Sequence, residues 1–329
     1  MASADLGALV ERIGRGEKTA VAAALNLVED TRAEARENAG ALLGLLRGSA
    51  RSQASHRIGI TGPPGVGKST LAAALARVLR EDKKTVGVLA VDPSSTRSGG
   101  ALLGDRARMA FDPADEGLFV RSVATGGEVG GLAHSAAAIV RIFAAAYDVV
   151  LIETTGVGQN ETDVADVADT VVLVVQPGSG DALQFIKAGV MEIPDLCVVN
   201  KADESVLAQR AAADLSSALH AMRGAGVDHE VKVCLTSALA GTGVRELATL
   251  LTQRRATLPD SSLRTHRALV DVSWALSLFT RAHGSHGTEA LGGTEALREE
   301  AAARAAEGVS ALQIAAEWST RYLDAARHR

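Results

Sequence analysis

The chain has 329 residues, 47% of them apolar and 22% charged, with a net charge of −5. That length allows one large α/β core with extensions, or two smaller domains, and an acidic balance provides no global positive field to attract nucleic acid. Every apolar run falls short of the roughly 18 residues that span a bilayer, and the opening MASADLGALVERIGRG has no basic stretch leading into an apolar one, so neither a membrane span nor a secretory signal is expected and the implied location is cytoplasmic or its organellar equivalent.

Three zones follow one another. Residues 1–55 are rich in alanine and leucine, and Leu9, Ile13, Val21, Leu25 and Val28 recur at helical spacing, which predicts an extension of one or two amphipathic helices. From 56 to 258, seven short apolar runs alternate with helical stretches: RIGIT, TVGVLAVD, LFVRSV, YDVVLIET, TVVLVVQP, DLCVVNKAD and VKVCLTSA. Near-continuous Val, Ile and Leu suits strands buried on both faces. Strands separated by helices need crossover connections. The expected fold is therefore α/β, a mostly parallel central sheet flanked by helices, with ligands at the carboxyl ends of the strands.

Between the first run and the next helix lies Gly62-Pro63-Pro64-Gly65-Val66-Gly67-Lys68-Ser69-Thr70, which satisfies G-x-x-x-x-G-K-[ST] in its required strand–loop–helix setting. The glycines let the backbone curl so that its N–H groups face inward at a helix N-terminus, where the dipole also favours anions. Lys68 is then within reach of the β and γ phosphates of a nucleoside triphosphate, and the Ser69 hydroxyl is placed to ligate Mg²⁺.

Carboxylates close the later strands. TVGVLAVD ends on Asp92 and opens DPSSTRSGGALLGDRARM, which also carries Asp105. Asp92 before Pro-Ser-Ser is either a turn or helix cap or a metal ligand, and Asp105 beside Arg106 is either a surface ion pair or part of a switch folding over the triphosphate. YDVVLIETTG ends on Glu153, where many P-loop proteins carry Asp, placed to hold Mg²⁺ through water, with the Gly156 N–H positioned for the γ-phosphate. Three carboxylates around one phosphate site favour the metal reading for Asp92 and Glu153, and extend it to Asp105. Gln159 in TTGVGQNE either positions the attacking water or is an ordinary loop residue. TGGEVGGLAH (125–134) and QPGSGDALQFIKAGV (176–190) are each either a flexible connection or a mobile switch.

DLCVVNKAD ends on Asn200-Lys201-Ala202-Asp203. At a strand terminus, the Asp203 carboxylate accepts two hydrogen bonds from guanine N1–H and N2–H₂, a donor pair that adenine lacks. Asn200 can brace the loop and the Lys201 stem can cover the base, while Ser237-Ala238 follows at the next strand end. These features assign the nucleotide as GTP, hydrolysed to GDP. Cys197 and Cys234 lie in apolar runs without a Cys or His partner at metal-ligand spacing, and read as buried inert thiols.

After Pro259, residues 259–329 turn helical: SLRTHRALVDVSWALSLFTRA predicts one helix, and the last thirty or so residues another. Trp274 and Trp318 fall on their apolar positions, as core or dimer anchors. Between them GTEAL occurs twice, at 287–291 and 293–297, which predicts a tolerated loop insertion.

GPPGVGKST, VDPSSTRSGGALLGDRARM, IETTGVGQNE and VVNKAD together resemble the SIMIBI-class P-loop GTPases that act as metal- and cofactor-insertion chaperones. Within that class they resemble the methylmalonyl-CoA mutase-associated branch of MeaB and the methylmalonic aciduria type A protein. The resemblance implies a homodimeric GTPase, dimerising through the C-terminal extension, that binds methylmalonyl-CoA mutase, gates adenosylcobalamin delivery and protects the mutase from inactivation. Slow intrinsic turnover is expected, with Lys68, Asp92, Asp105 and Glu153 serving catalysis and Ser69, Asp92, Asp105 and Glu153 the metal. The alternatives are a kinase acting on an amino-acid transport protein, or a nickel-insertion GTPase, which usually carries a histidine-rich tract or Cys pair not seen here.

Overall fold

The computed structural model describes residues 3–92, 111–112, 114–124, 134–154, 164–178, 193–203, 205–223 and 231–327. Its strands are β1 (His56–Thr61), β2 (Val86–Asp92), β3 (Leu118–Ala124), β4 (Val149–Glu153), β5 (Thr170–Val175), β6 (Leu196–Val199) and β7 (Lys232–Leu235). The helices up to the middle of the chain are α1 (Ser3–Gly14), α2 (Lys18–Glu29), α3 (Ala33–Arg47), α4 (Ala50–Ala54), α5 (Lys68–Glu81) and α6 (His134–Ala146). The remainder are α7 (Ser205–Arg223), α8 (Val244–Thr257), α9 (Asp260–Ala290), α10 (Thr294–Ala306) and α11 (Ala311–Arg327).

The chain divides into two compact units. One comprises His56–Ala136 and Tyr147–Thr257; the other comprises Met1–Ser55, Ala137–Ala146 and Leu258–Arg329. In the first, each of the seven apolar runs forms a strand, and every described pairing is parallel, in the order β3-β2-β4-β1-β5-β6-β7. All residues of β1, β4 and β5 are buried, which is why their middles are apolar and their polar residues, His56, Arg57, Thr61, Glu153 and Thr170, fall at the strand ends. Side chains alternate between the two faces of the sheet. Ile58, Ile60, Val88, Leu151, Val172 and Val174 pack with Leu71, Leu75 and Leu79 of α5 and Leu247 and Leu251 of α8. The alternate residues Leu173, Val175, Cys197 and Val199 pack with Ala208, Leu215 and Leu219 of α7. Each such fully buried aliphatic side chain contributes about 1.5–3 kcal/mol.

The amino edge of this sheet is closed by aspartates. The Asp148 carboxylate accepts from Thr85 N–H at 2.8 Å and Thr85 Oγ1 at 2.9 Å, Asp169 from Arg57 N–H at 2.9 Å, and Asp195 from Val171 N–H at 2.8 Å. These carboxylates tie neighbouring strands together, and the carboxyl edge is left to ligand chemistry.

Both thiols lie in this unit, on opposite faces of the sheet. Burial raises the Cys197 pKa to about 12; burial, then the nearby Glu246 carboxylate, raises that of Cys234 to about 11. Neither holds appreciable thiolate at neutral pH, and the thiolate is the nucleophile. Iodoacetamide at about pH 8 should therefore modify neither residue in the folded protein and both after urea unfolding, as read by intact mass; rapid labelling of the native protein would contradict the burial.

The other unit is helical. Phe279 of α9 meets Trp318 of α11 edge-on, with ring centroids 5.7 Å apart, and Trp274 is buried as well. The buried Asp271 carboxylate accepts from Arg141 Nε at 2.9 Å and pairs with Arg47 Nε at 3.2 Å. Arg267 donates to the carbonyls of Ser52, Gln53 and Ser55 at 2.8–3.1 Å, satisfying acceptors that the end of α4 leaves over.

Two expectations about the helices need correction. The first 55 residues hold four helices rather than one or two, because Gly16 (φ +76°), the stretch from Asp30 to Arg32, and the extended Ser49 that caps α4 interrupt the helical run. The GTEAL duplication is not a loop. Its first copy ends α9, which continues through HGSHG with only a kink at Gly284 (φ +67°), and its second copy opens α10. Glu, Ala and Leu are strong helix formers, and past the non-helical Gly284 the chain stays helical until Gly292 and Gly293, both at positive φ. Among the described residues no helix is long and apolar enough to cross a membrane.

Candidate functional site

The phosphate loop leaves the carboxyl end of the central strand β1 and runs into α5. Gly62 sits at φ +138°, and a Cβ there would lie 2.0 Å from the Val174 carbonyl oxygen of β5, so only glycine can make this exit. Gly67 caps α5 in the left-handed region, and a Cβ on it would meet Asn200 Nδ2 at 2.6 Å. Among the described residues the N–H groups of Gly65, Val66, Gly67, Ser69 and Thr70 meet no protein acceptor. Together with the first turn of α5 they form a set of donors of the kind that binds phosphate.

Lys68 is 6% exposed, and its Nζ donates to the carbonyls of Gly62 at 2.8 Å and Pro63 at 2.9 Å. The ammonium is thus held against the rim of its own loop, where phosphate oxygens would compete with neutral carbonyls for it. Ser69 Oγ donates to Glu153 Oε1 at 2.5 Å, which joins the start of α5 to the end of β4. A hydroxyl and a buried carboxylate at this separation are the hard oxygen donors that Mg²⁺ takes, so the residues present fit the ion. Thr154, next in the chain, donates its N–H to Ile60 O at 3.1 Å and its hydroxyl to Thr61 Oγ1 at 3.2 Å, fixing the ends of β1 and β4 side by side.

The second cluster is built on the ends of β6 and β7. Every polar atom of the Asn200 carboxamide is engaged: Nδ2 donates to Val66 O at 2.8 Å, and Oδ1 accepts from Thr236 Oγ1 and the Ala238 N–H, each at 3.1 Å. One side chain thereby ties the phosphate loop to the Ser237-Ala238 turn. The Asp203 carboxylate accepts a hydrogen bond from Ser237 Oγ, which fixes one oxygen. Lys201 is held at φ +59°, a conformation costing a non-glycine residue about 1–2 kcal/mol. Its Nζ donates to Gly65 O at 2.6 Å and Gln176 Oε1 at 2.7 Å.

Lys68, Ser69 and Glu153 are thus brought together at one end of the site, and Asn200, Lys201, Asp203, Ser237 and Ala238 at the other, with Gly62, Pro64, Gly65, Val66 and Gly67 between them and Thr70 on the first turn of α5. Asp92 ends β2, the strand beside β4, but its side chain lies outside the described residues, as do Asp105, Gly156 and Gln159. The stretch 125–133 and positions 179–190 of the third candidate switch fall outside them too. Sequence reasoning gave Gln176 no role of its own within the 176–190 stretch and gave none to Thr236. Both stand immediately after a strand, and their roles are hydrogen bonds across neighbouring strands, which no motif announces.

A family model described as Methylmalonyl Co-A mutase-associated GTPase MeaB matches residues 21–284. A putative GTPase of Caulobacter vibrioides is 42% identical over 274 residues, 82% of this chain and 83% of that protein. The mitochondrial methylmalonic aciduria type A homolog of Mus musculus is 40% identical over 244 residues, 71% of this chain and 59% of the mouse protein. Among solved structures, a LAO/AO transport system kinase aligns with a TM-score of 0.68 at 29% identity, covering 87% of each chain. With the model matching well over half its length, the chain belongs to the family of methylmalonyl-CoA mutase-associated GTPases.

Proposed function

We propose that this GTPase is a chaperone of an adenosylcobalamin-dependent acyl-CoA mutase, methylmalonyl-CoA mutase in the first instance, using GTP hydrolysis to gate cofactor delivery and to protect the mutase from inactivation. The observation that carries the chemical part is the hydrogen-bonded frame running from Glu153 through Ser69 and the loop to Asn200 and Ala238, with Ser237 holding Asp203 beside it. It offers a cation and oxygen ligands at one end and a fixed carboxylate at the other. The family match supports the client.

In this reading Asp203 accepts from the guanine N1–H and N2–H₂, Asn200 holds the base loop against the phosphate loop, and the N–H groups from Gly65 to Thr70 bind the phosphate oxygens. The Lys68 ammonium leaves its two carbonyls and neutralises the charge that develops as the γ-phosphoryl group passes to water. Ser69 and Glu153, with Asp92 and Asp105, would hold Mg²⁺, which would supply positive charge to offset that of the phosphates. No single residue of the described site is committed to activating the water, which suits slow intrinsic turnover raised by a partner. The protein acts in the cytoplasm as a homodimer formed through its C-terminal extension; Leu269 and Leu323, exposed on α9 and α11, support that surface.

Phosphate release from GTP and from ATP, each with and without purified methylmalonyl-CoA mutase, tests the proposal. GTP-specific turnover stimulated by the mutase is expected. Preference for ATP, or recovery of the γ-phosphate on an acceptor protein or amino acid, would replace it with the kinase reading that the name of the solved relative suggests.

A further inference from the structure

We infer that Gln176 is a positioning residue for nucleotide retention: by holding the Lys201 ammonium, it keeps the Lys201 stem over the guanine face and slows release of the bound nucleotide. The inference rests on the reading that Asn200 and Asp203 bind guanine, and it deepens that reading.

Gln176 is the first residue after β5, and β5 lies between β1, which feeds the phosphate loop, and β6, which feeds Asn200 and Lys201. It therefore stands at the carboxyl edge between the two halves of the site. Its Oε1 accepts from Lys201 Nζ at 2.7 Å, and the same ammonium donates to Gly65 O at 2.6 Å. An ammonium has three donors, so two of Lys201's are committed, one to the phosphate loop and one to the end of β5. Without such anchors an exposed lysine samples many rotamers, and ordering it on a ligand costs entropy at the moment of binding. Lys201 is also one of two described non-glycine residues at positive φ, so its backbone is already set in an uncommon conformation. Strain of this kind persists where the surroundings over-determine it, and the Gln176 and Gly65 acceptors are part of those surroundings. The result is a strap whose backbone end is set by its positive φ and whose ammonium end is held by two acceptors before the nucleotide arrives. Loss of the Gln176 acceptor leaves the ammonium on Gly65 O alone. The phosphates, held by the loop amides and Lys68, are not touched by this change, so the effect falls on dwell time and KM rather than on the chemical step.

The test uses the full chain and a fluorescent GDP analogue. In Gln176→Leu, which keeps the bulk and removes the acceptor, GDP dissociation should speed up by about tenfold, the worth of one charge-assisted hydrogen bond. KM for GTP should rise in parallel, with kcat unchanged. Gln176→Glu, which retains an acceptor for the ammonium, should restore slow release. In a Lys201→Met background, Gln176→Leu should have no further effect. The inference is overturned if Gln176→Leu releases GDP at the original rate, if it lowers kcat at saturating GTP, or if its effect persists in the Lys201→Met background. Failure of the unsubstituted protein to bind GDP would instead refute the guanine-site reading beneath it.

Discussion

Replacing Lys68 with alanine should lower the rate of GTP hydrolysis by about 10²–10³-fold, the typical cost of removing one preorganised donor from a site where charge develops. The side chain is 6% exposed and reaches the loop carbonyls of Gly62 and Pro63, so it is poised at the mouth of the cradle rather than in solvent. Truncation deletes the one cation that the loop itself supplies and leaves the N–H donors in place. Nucleotide binding should therefore weaken less than turnover. Lys68→Arg should fail to rescue, because a planar guanidinium does not fit a slot shaped for a compact ammonium. Single-turnover phosphate release, read beside equilibrium GDP binding, separates the two effects. Turnover within a few-fold of the unsubstituted protein would remove Lys68 from the chemistry.

The second large effect is a change of base. In Asp203→Asn, the carboxylate that faces two guanine donors becomes a carboxamide with one acceptor and one donor group. Ser237 Oγ, which donates to Asp203 Oδ1, should orient the new amide by taking its oxygen and turning its NH₂ toward the base. That NH₂ opposes the guanine amino group and suits the C2 carbonyl of xanthine. GTP affinity should drop by about 10²-fold, equivalent to ~3 kcal/mol at the upper end for a hydrogen bond to a charged group. Xanthosine triphosphate should bind better than GTP. Competition binding with the two nucleotides reads this directly, and unchanged GTP preference would move the base elsewhere.

The part of the site visible in the sequence is the part in which the chain contacts itself locally. Gly62 to Ser69 declares itself because a strand, a glycine turn and a helix start are contiguous, and the positive φ values at Gly62, Gly65 and Gly67 demand those glycines. The inner strands were legible because burial on both faces leaves no polar alternation to confuse with another pattern, while the edge strands β3 and β7, partly exposed, showed only as short runs rich in Val, Leu and Phe. Gln176 and Thr236 were not legible. Each acts on a residue more than twenty positions away, and the pairing of β5 with β6 and of β6 with β7 is what brings them to Lys201 and Asn200. The helical extension misled for a different reason. Glycine and histidine in HGSHG read as a break, yet α9 passes Gly284 as a kink, with Tyr322 of α11 meeting Phe279 and His283 before it and His286 after it.

The strand order has a consequence for synthesis. β1 ends at Thr61, but the strands on either side of it, β4 and β5, begin only at Val149 and Thr170. A ribosome adding roughly 5–20 residues per second leaves β1 without either neighbour for on the order of ten seconds. Throughout that interval its backbone edges are open and its apolar side chains uncovered, a state prone to wrong pairing. Of the groups that would grip a nucleotide, only the phosphate loop exists in that interval, because Glu153, Asn200 and Asp203 are still untranslated. Nascent chains stalled before about residue 170 should therefore be the species most dependent on holdases and most exposed to proteolysis.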